Sequence, residues 1–281
     1  MSEAARLFAL QIALIAVVLL LHTYIGLHII RRTLIFSDLV LDQLAALGAI
    51  IGVAIGIEYA SPGSYVIAFA AVLVGSFLLA AIKPRGRTIP REAVIGILYA
   101  MALVGCLILT DKLPGGQGLV ETTLSGYMLW VRWPLVAVTA GVYSLLILFH
   151  YVMRHRFIAL AEQPGAVKSE MLWDFFFFTT QGIITVLIVP IAGVLLAYAF
   201  LMIPAATATL FTRRWGLAVA LGWAIGFIAC LIGLCSSYHW SFPYGPTLVL
   251  SLGLAFICAI VIRCFVPASQ AISEGKDISN G

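Results

Sequence analysis

Apolar residues run through this chain in long blocks, cut by short clusters of charge, proline and glycine. A block of about 20 apolar residues is what an α-helix needs to cross a bilayer. The pattern predicts nine such spans, at about 7–30, 37–58, 64–82, 92–110, 133–153, 173–190, 191–211, 215–235 and 246–265. The sixth and seventh form one stretch without charge between Asp174 and Arg213, broken only by Pro190 and Gly193. A single helix of that length overshoots a hydrocarbon layer about 30 Å thick. Either two spans meet in a tight turn near Pro190, or a span is followed by a half-helix buried in protein, which would make eight.

Charge distribution favours nine. With nine spans one side holds thirteen basic residues (Arg31, Arg32, Lys83, Arg85, Arg87, Arg91, Arg154, Arg156, Lys168, Arg213, Arg214, Arg263 and Lys276), and the other holds three (Arg6, Lys112 and Arg132). With eight the ratio falls to nine against seven. Basic residues accumulate on the cytoplasmic side, so the N-terminus is expected outside and the C-terminus inside. Residues 1–267 form the expected membrane domain and 268–281 a polar cytoplasmic tail. The first block, Leu7 to Ile30, is too long for a signal-peptide core and ends at Arg31-Arg32 without a small-residue cleavage site.

Composition sharpens this. Of 281 residues 63% are hydrophobic and 10% charged, against about 25% charged in a soluble domain, and the mean hydropathy is +1.11. These values exclude a soluble enzyme, a nucleic-acid-binding module and a disordered chain. The net charge of +4 says little about cargo. Five cysteines with no C-x-x-C pair read as small apolar residues rather than a disulfide or zinc framework.

Two connections are long enough to carry structure. The outer segment 111–132 holds Pro114-Gly115-Gly116-Gln117-Gly118 and room for a short interfacial helix, with Tyr127, Trp130 and Trp133 at headgroup level. The inner segment 154–172 suits a short helix through Phe157 and Ala159-Leu160-Ala161-Glu162, ended by Gln163-Pro164-Gly165. It carries both charge and apolar surface, as a docking element does, and as a solvated loop also can.

Ionisable groups inside spans are few. Asp38 and Asp42 stand at i and i+4 and so share a helix face. A carboxylate at a span centre costs about 2.5–3.5 kcal/mol on insertion scales. One reading is a pair of oxygen ligands for a passing divalent metal. The other is a first-turn helix acid near Arg31 and Arg32, with Asp42 protonated or paired. His22 and His28 lie six residues apart in the first span and are poor co-ligands within one helix; each is a packing histidine or a path-lining one. His150 and His155 flank the inner end of the fifth span and read as interfacial. His239, beside Trp240 in an outer loop, is placed to meet incoming cargo. Glu92 reads as a first-turn helix acid. No G-x-x-x-x-G-K-[ST], H-E-x-x-H or G-x-S-x-G occurs, so any ATP-driven step needs another subunit.

Several stretches, in order, resemble the ABC-3 permeases of importers for zinc, manganese and iron. They are Gly26-Leu27-His28-Ile29-Ile30-Arg31-Arg32-Thr33-Leu34-Ile35-Phe36-Ser37-Asp38, Gln43 through Gly48, Glu92 through Ala100, Leu124-Ser125-Gly126, Met128 through Val131, Asp174 through Phe177, Ala192 through Ala205, and Pro243-Tyr244-Gly245-Pro246-Thr247. The resemblance implies an all-α polytopic bundle in a bacterial cytoplasmic membrane. It implies a dimer of identical or different permease chains, cytoplasmic ATPase subunits and an extracytoplasmic metal-binding protein. A divalent metal is then transported substrate, with no resident cofactor. It places Asp38 on the translocation path, with Asp42, Gln43, His28 and His22 as further candidates. It assigns ATPase docking to the helix containing Phe157, Ala159, Ala161, Glu162 and Gly165. Where relatives often carry His, position 42 is Asp; two carboxylates make a harder ligand set, which leans toward manganese or iron. Gly115 and Ser241 also depart from the family pattern. The competing readings are a secondary transporter with the two aspartates as a proton relay, and a membrane-embedded enzyme, for which no catalytic grouping is present.

Overall fold

The computed structural model describes residues 3–82, 90–126, 131–163, 165 and 167–265. Lys83, Arg85, Arg87, the stretch holding Tyr127 and Trp130, Pro164 and the polar tail lie outside these. Ten helices and no strand occur among the described residues: α1 (Glu3–Arg31), α2 (Phe36–Ala54), α3 (Pro62–Ala81), α4 (Arg91–Asp111), α5 (Gly116–Ser125), α6 (Trp133–Val152), α7 (Arg154–Glu162), α8 (Glu170–Thr209), α9 (Trp215–Trp240) and α10 (Tyr244–Phe265). Local signals set several ends. Ser61 Oγ accepts from the Ser64 amide and Pro62 opens α3, the usual cap and first-turn proline. Pro90 precedes α4. Gly126, at φ 74°, stops α5 and returns its amide to the Thr122 carbonyl.

Eight of the ten helices are long and apolar enough to cross a membrane. The longest, α8, has 40 residues, which would extend about 60 Å if straight. It is not straight. Arg32 forms an ion pair with Asp174 near its start, while the neighbouring Arg31 donates to the Arg213 carbonyl just beyond its end, at 2.5 Å. Both ends therefore lie at one level, and α8 folds back on itself. The reversal is at Gly193, with φ 75° and ψ 164°, a region essentially reserved for glycine. The expected turn near Pro190 thus lies three residues further on, and α8 contributes two arms to the bundle.

The reversal is packed by other glycines. A Cβ on Gly193 would lie 2.4 Å from the Leu124 carbonyl oxygen, one on Gly126 2.2 Å from the Ala192 carbonyl carbon, and one on Gly245 2.5 Å from the Ser125 oxygen. The end of α5, the turn of α8 and the start of α10 therefore meet backbone to backbone. On this face α5 is the short helix expected in segment 111–132. At the other face lie Arg31, Arg32, Arg91, Arg154, Arg156, Lys168, Arg213, Arg214 and Arg263, the basic side of the molecule; Arg6, Lys112 and Arg132 belong to the opposite side.

Both arms of α8 form the buried centre, while α4, α6 and α10 turn most of their surface outward. The returning arm packs on α1 and α9 through small residues: Gly26 abuts the Leu201 backbone, and Gly222 and Gly226 abut Pro204. Such contacts let helices approach closely where lipid supplies no hydrophobic drive.

Gly193→Ala places a side chain in a glycine-only conformation and against the Leu124 carbonyl. The expected loss is about 1–3 kcal/mol from the backbone alone. It should appear as a lowered unfolding temperature of the purified protein in detergent; an unchanged value would mean that the reversal tolerates a Cβ.

Candidate functional site

Asp38 and Asp42 point from α2 into the bundle, each 1% exposed. The first arm of α8 answers them residue for residue. Gln181 Nε2 donates to Asp38 Oδ1 at 2.8 Å, and Thr185 Oγ1 donates to Asp42 Oδ1 at 3.0 Å. Both pairs are 143 residues apart, so the two helices run parallel and the contacts form successive rungs. The second oxygen of each carboxylate has no protein hydrogen-bond partner, nor has Gln181 Oε1. Tyr143 from α6 and Tyr198 from the returning arm lie within electrostatic range of both carboxylates. Burying such groups half-satisfied is costly.

This donor set is chemically narrow. Among the described residues no three His, Cys, Asp or Glu side chains converge. What converges is carboxylate and amide oxygen with hydroxyls, a hard set suited to oxygen-preferring cations.

The other sequence candidates divide. Gln43 is turned away, its Nε2 donating to Cys106 Sγ on α4 at 3.1 Å; one residue beyond Asp42, it falls on a different helix face. His22 is buried, stacks on Tyr143 with ring centroids 5.8 Å apart, and gives its Nδ1 hydrogen to the Val18 carbonyl at 3.0 Å. His28 lies nearer the basic face, wedged among Tyr24, Phe177 and Trp215. The two histidines do not meet. His150, expected at the interface, is buried instead; it stacks on Phe157 at 4.3 Å and lies 2.9 Å from Thr180 Oγ1. His239 is not in a loop: α9 runs to Trp240, and His239 is exposed in its last turn.

Segment 154–172 does form a helix, α7, but its residues have two jobs. Phe157 and Ala161 are buried in the bundle and hold α7 to it, and Ala159 is half-buried. The reason is an aromatic nest of Phe149, His150, Trp173 and Phe177 that encloses Phe157. Glu162 and Gly165 are exposed, as are Arg154, His155 and Arg156. Glu162 Oε1 also accepts from Arg31 at 3.1 Å and from Trp215 Nε1 at 2.6 Å, which ties α7 to α1 and α9.

Sequence reading missed Gln181, Thr185 and Asp174. One of the two readings of Asp38 set it near Arg32; Arg32 pairs instead with Asp174, which Arg91 also approaches at 3.7 Å. Asp174, Gln181 and Thr185 stand at i, i+7 and i+11, one face of a helix. Polar residues at that spacing in an otherwise apolar run were the available signal.

Eight long apolar helices around a buried, incompletely satisfied polar stripe define a multi-pass helical membrane protein. Residues 5–263 match the ABC 3 transport family. The chain is 27% identical to a probable metal transport system membrane protein of Chlamydia pneumoniae, over 78% of this chain and 76% of that protein. It is 26% identical to the manganese transport system membrane protein MntC of Listeria monocytogenes, over 67% of each. Its fold is similar to that of PsaBC from Streptococcus pneumoniae, solved in complex with Fab, with a TM-score of 0.75, 20% identity and coverage of 95% of this chain and 94% of that one. The chain belongs to the ABC 3 transport family. It is a membrane permease, and ATP hydrolysis belongs to a separate subunit.

If the carboxylate pair serves passage rather than stability, making its rung apolar should not harm the fold. Replacing both partners of a buried polar contact is often neutral or stabilising, whereas removing one costs about 1–3 kcal/mol. Asp42→Leu with Thr185→Val should therefore unfold at or above the wild-type temperature, and Thr185→Val alone below it. A double variant less stable than the single one would make the rung structural.

Proposed function

We propose that this chain is the permease of an ATP-driven importer for a divalent transition metal, with manganese the first candidate and iron or zinc behind it. The observation that carries the proposal is the Asp38–Asp42 pair, buried on α2 against the parallel first arm of α8, with one free oxygen on each carboxylate. A divalent cation arriving between them would take those oxygens, with Gln181, Thr185 and the tyrosines close by. Aspartate at position 42 favours a hard cation over a zinc-preferring imidazole. The naming of the Chlamydia and Listeria relatives for metal and manganese transport supports the same substrate class.

In this reading the basic side faces the cytoplasm, with the N-terminus outside and the C-terminus inside. Two permease chains assemble, and each carries its own carboxylate pair inside its bundle. ATPase subunits dock on the exposed side of α7, through Arg154, His155, Arg156, Glu162 and Gly165. Phe157 and Ala161 transmit that contact to the bundle. An extracytoplasmic binding protein delivers the metal on the opposite face, where α5, the end of α9 with His239 and Trp240, and the start of α10 lie. Nucleotide-driven rocking of the helices then exposes the pair alternately to the two sides.

Reconstituted with its ATPase subunits, the wild-type permease should accumulate manganese in proteoliposomes only with ATP. Asp38→Ala should reduce that uptake to background while the complex still assembles. Wild-type uptake by this variant would remove Asp38 from the path. Uptake driven by a membrane potential without ATPase would favour the proton-relay reading instead. A photo-crosslinking residue at position 156 should capture the ATPase; capture of none would move the docking site elsewhere.

A further inference from the structure

We infer that Arg32, Asp174 and Arg91, with Phe178 above them, form the basic-side gate of the carboxylate path. The inference rests on the cation-path reading above and extends it to the exit. The face of α8 that meets Asp38 and Asp42 continues downward. Phe178 lies one turn below Gln181, and Asp174 seven residues below it, about 10 Å along the axis. Phe178 is fully buried. Below it Asp174 is also fully buried, with one carboxylate oxygen on Arg32 and the other 3.7 Å from Arg91 Nη2. The guanidiniums of Arg32 and Arg91 stand 6.0 and 5.8 Å from the Phe178 ring centroid, within cation–π range.

The cluster joins separate elements. Arg32 comes from the turn after α1, Asp174 from α8 and Arg91 from α4, and Arg91 also donates to the Leu79 carbonyl of α3 at 2.6 Å. Among the described residues Glu92 and Glu170 lie within electrostatic range of Arg91 and offset part of the positive charge there. The gate works by competition. Asp174 is the next carboxylate on the stripe after Asp38, and in this conformation two guanidiniums occupy it. A cation leaving Asp38 toward the basic side finds a phenyl ring and a carboxylate already paired. When α1, α4 and α8 move apart the arginines leave, Phe178 loses its partners, and Asp174 becomes the next oxygen ligand. Closed and open states thus exchange one kind of cation for another on the same carboxylate.

The test uses the permease reconstituted with its ATPase subunits, with manganese as the probe. Arg91→Gln and Asp174→Asn each remove one side of the competition. Manganese leak without ATP is expected to rise roughly fivefold or more over wild type, the range of a lost coupling interaction, in complexes that still assemble. Leak at the wild-type level in both variants overturns the gate. Since Asp174 is buried, a variant can fail to assemble, and the wild-type complex then decides. Hydrogen exchange over residues 170–178 should differ between nucleotide-free and nucleotide-trapped states, and equal protection in both overturns the gate. Wild-type uptake by Asp38→Ala would sink the cation path itself. An inactive Asp38→Ala beside tight gate variants would sink the gate alone.

Discussion

A helix that turns back inside a membrane protein must bring its turn into contact with protein, because hydrocarbon offers no partner for exposed peptide groups. The reversal of α8 at Gly193 meets that constraint with backbone: the end of α5 at Gly126 and the start of α10 at Gly245 close over it. Everything else in the bundle is arranged around the two arms so created. The first arm runs parallel to α2 and supplies the polar stripe. The second returns between α1 and α9 on contacts with Gly26, Gly222 and Gly226. A Cβ at any of these positions would push the arms off their neighbours, and the stripe would lose its register with Asp38 and Asp42.

Register is what turns an expensive feature into a usable one. A lone carboxylate among apolar helices is a liability. Two of them, matched by Gln181 and Thr185 on a parallel helix, are held in fixed rotamers with one oxygen each left open. The neutral amide and hydroxyl position the carboxylates without cancelling their charge, as an arginine would. Arginine is used lower down, at Asp174, which pairs with Arg32 and lies 3.7 Å from Arg91 Nη2. The same helix face therefore carries an open pair and a closed one, separated by Phe178.

The basic side is mechanically continuous with this stripe. Glu162 at the end of α7 holds Arg31 and the Trp215 indole, and the Arg31 guanidinium lies 3.8 Å from the Trp215 ring centroid. Arg31 is followed directly by Arg32, which reaches Asp174. Two adjacent residues, Arg31 and Arg32, thus link α7 to both ends of α8. The burial of Phe157 in the aromatic nest anchors α7 to the bundle.

The amino-acid sequence by itself determined the lipid solvent, the helical class and the uneven placement of basic residues along the chain, because those follow from block length and the positions of lysine and arginine. It also singled out Asp38 and Asp42, since a carboxylate in an apolar block is rare enough to be informative alone. It did not reveal their partners. Gln181 and Thr185 lie 143 residues away, and a neutral polar residue in a span carries no mark of what it will face. The same limit applied to Gln43, which one residue of helical rotation carried off to Cys106, and to Phe157 and Ala161, whose apolar character suits a docking face and a buried anchor equally well. Tertiary structure decided these cases, and it moved the reversal from Pro190 to Gly193, because side-chain direction and close backbone approach exist only once distant helices are packed.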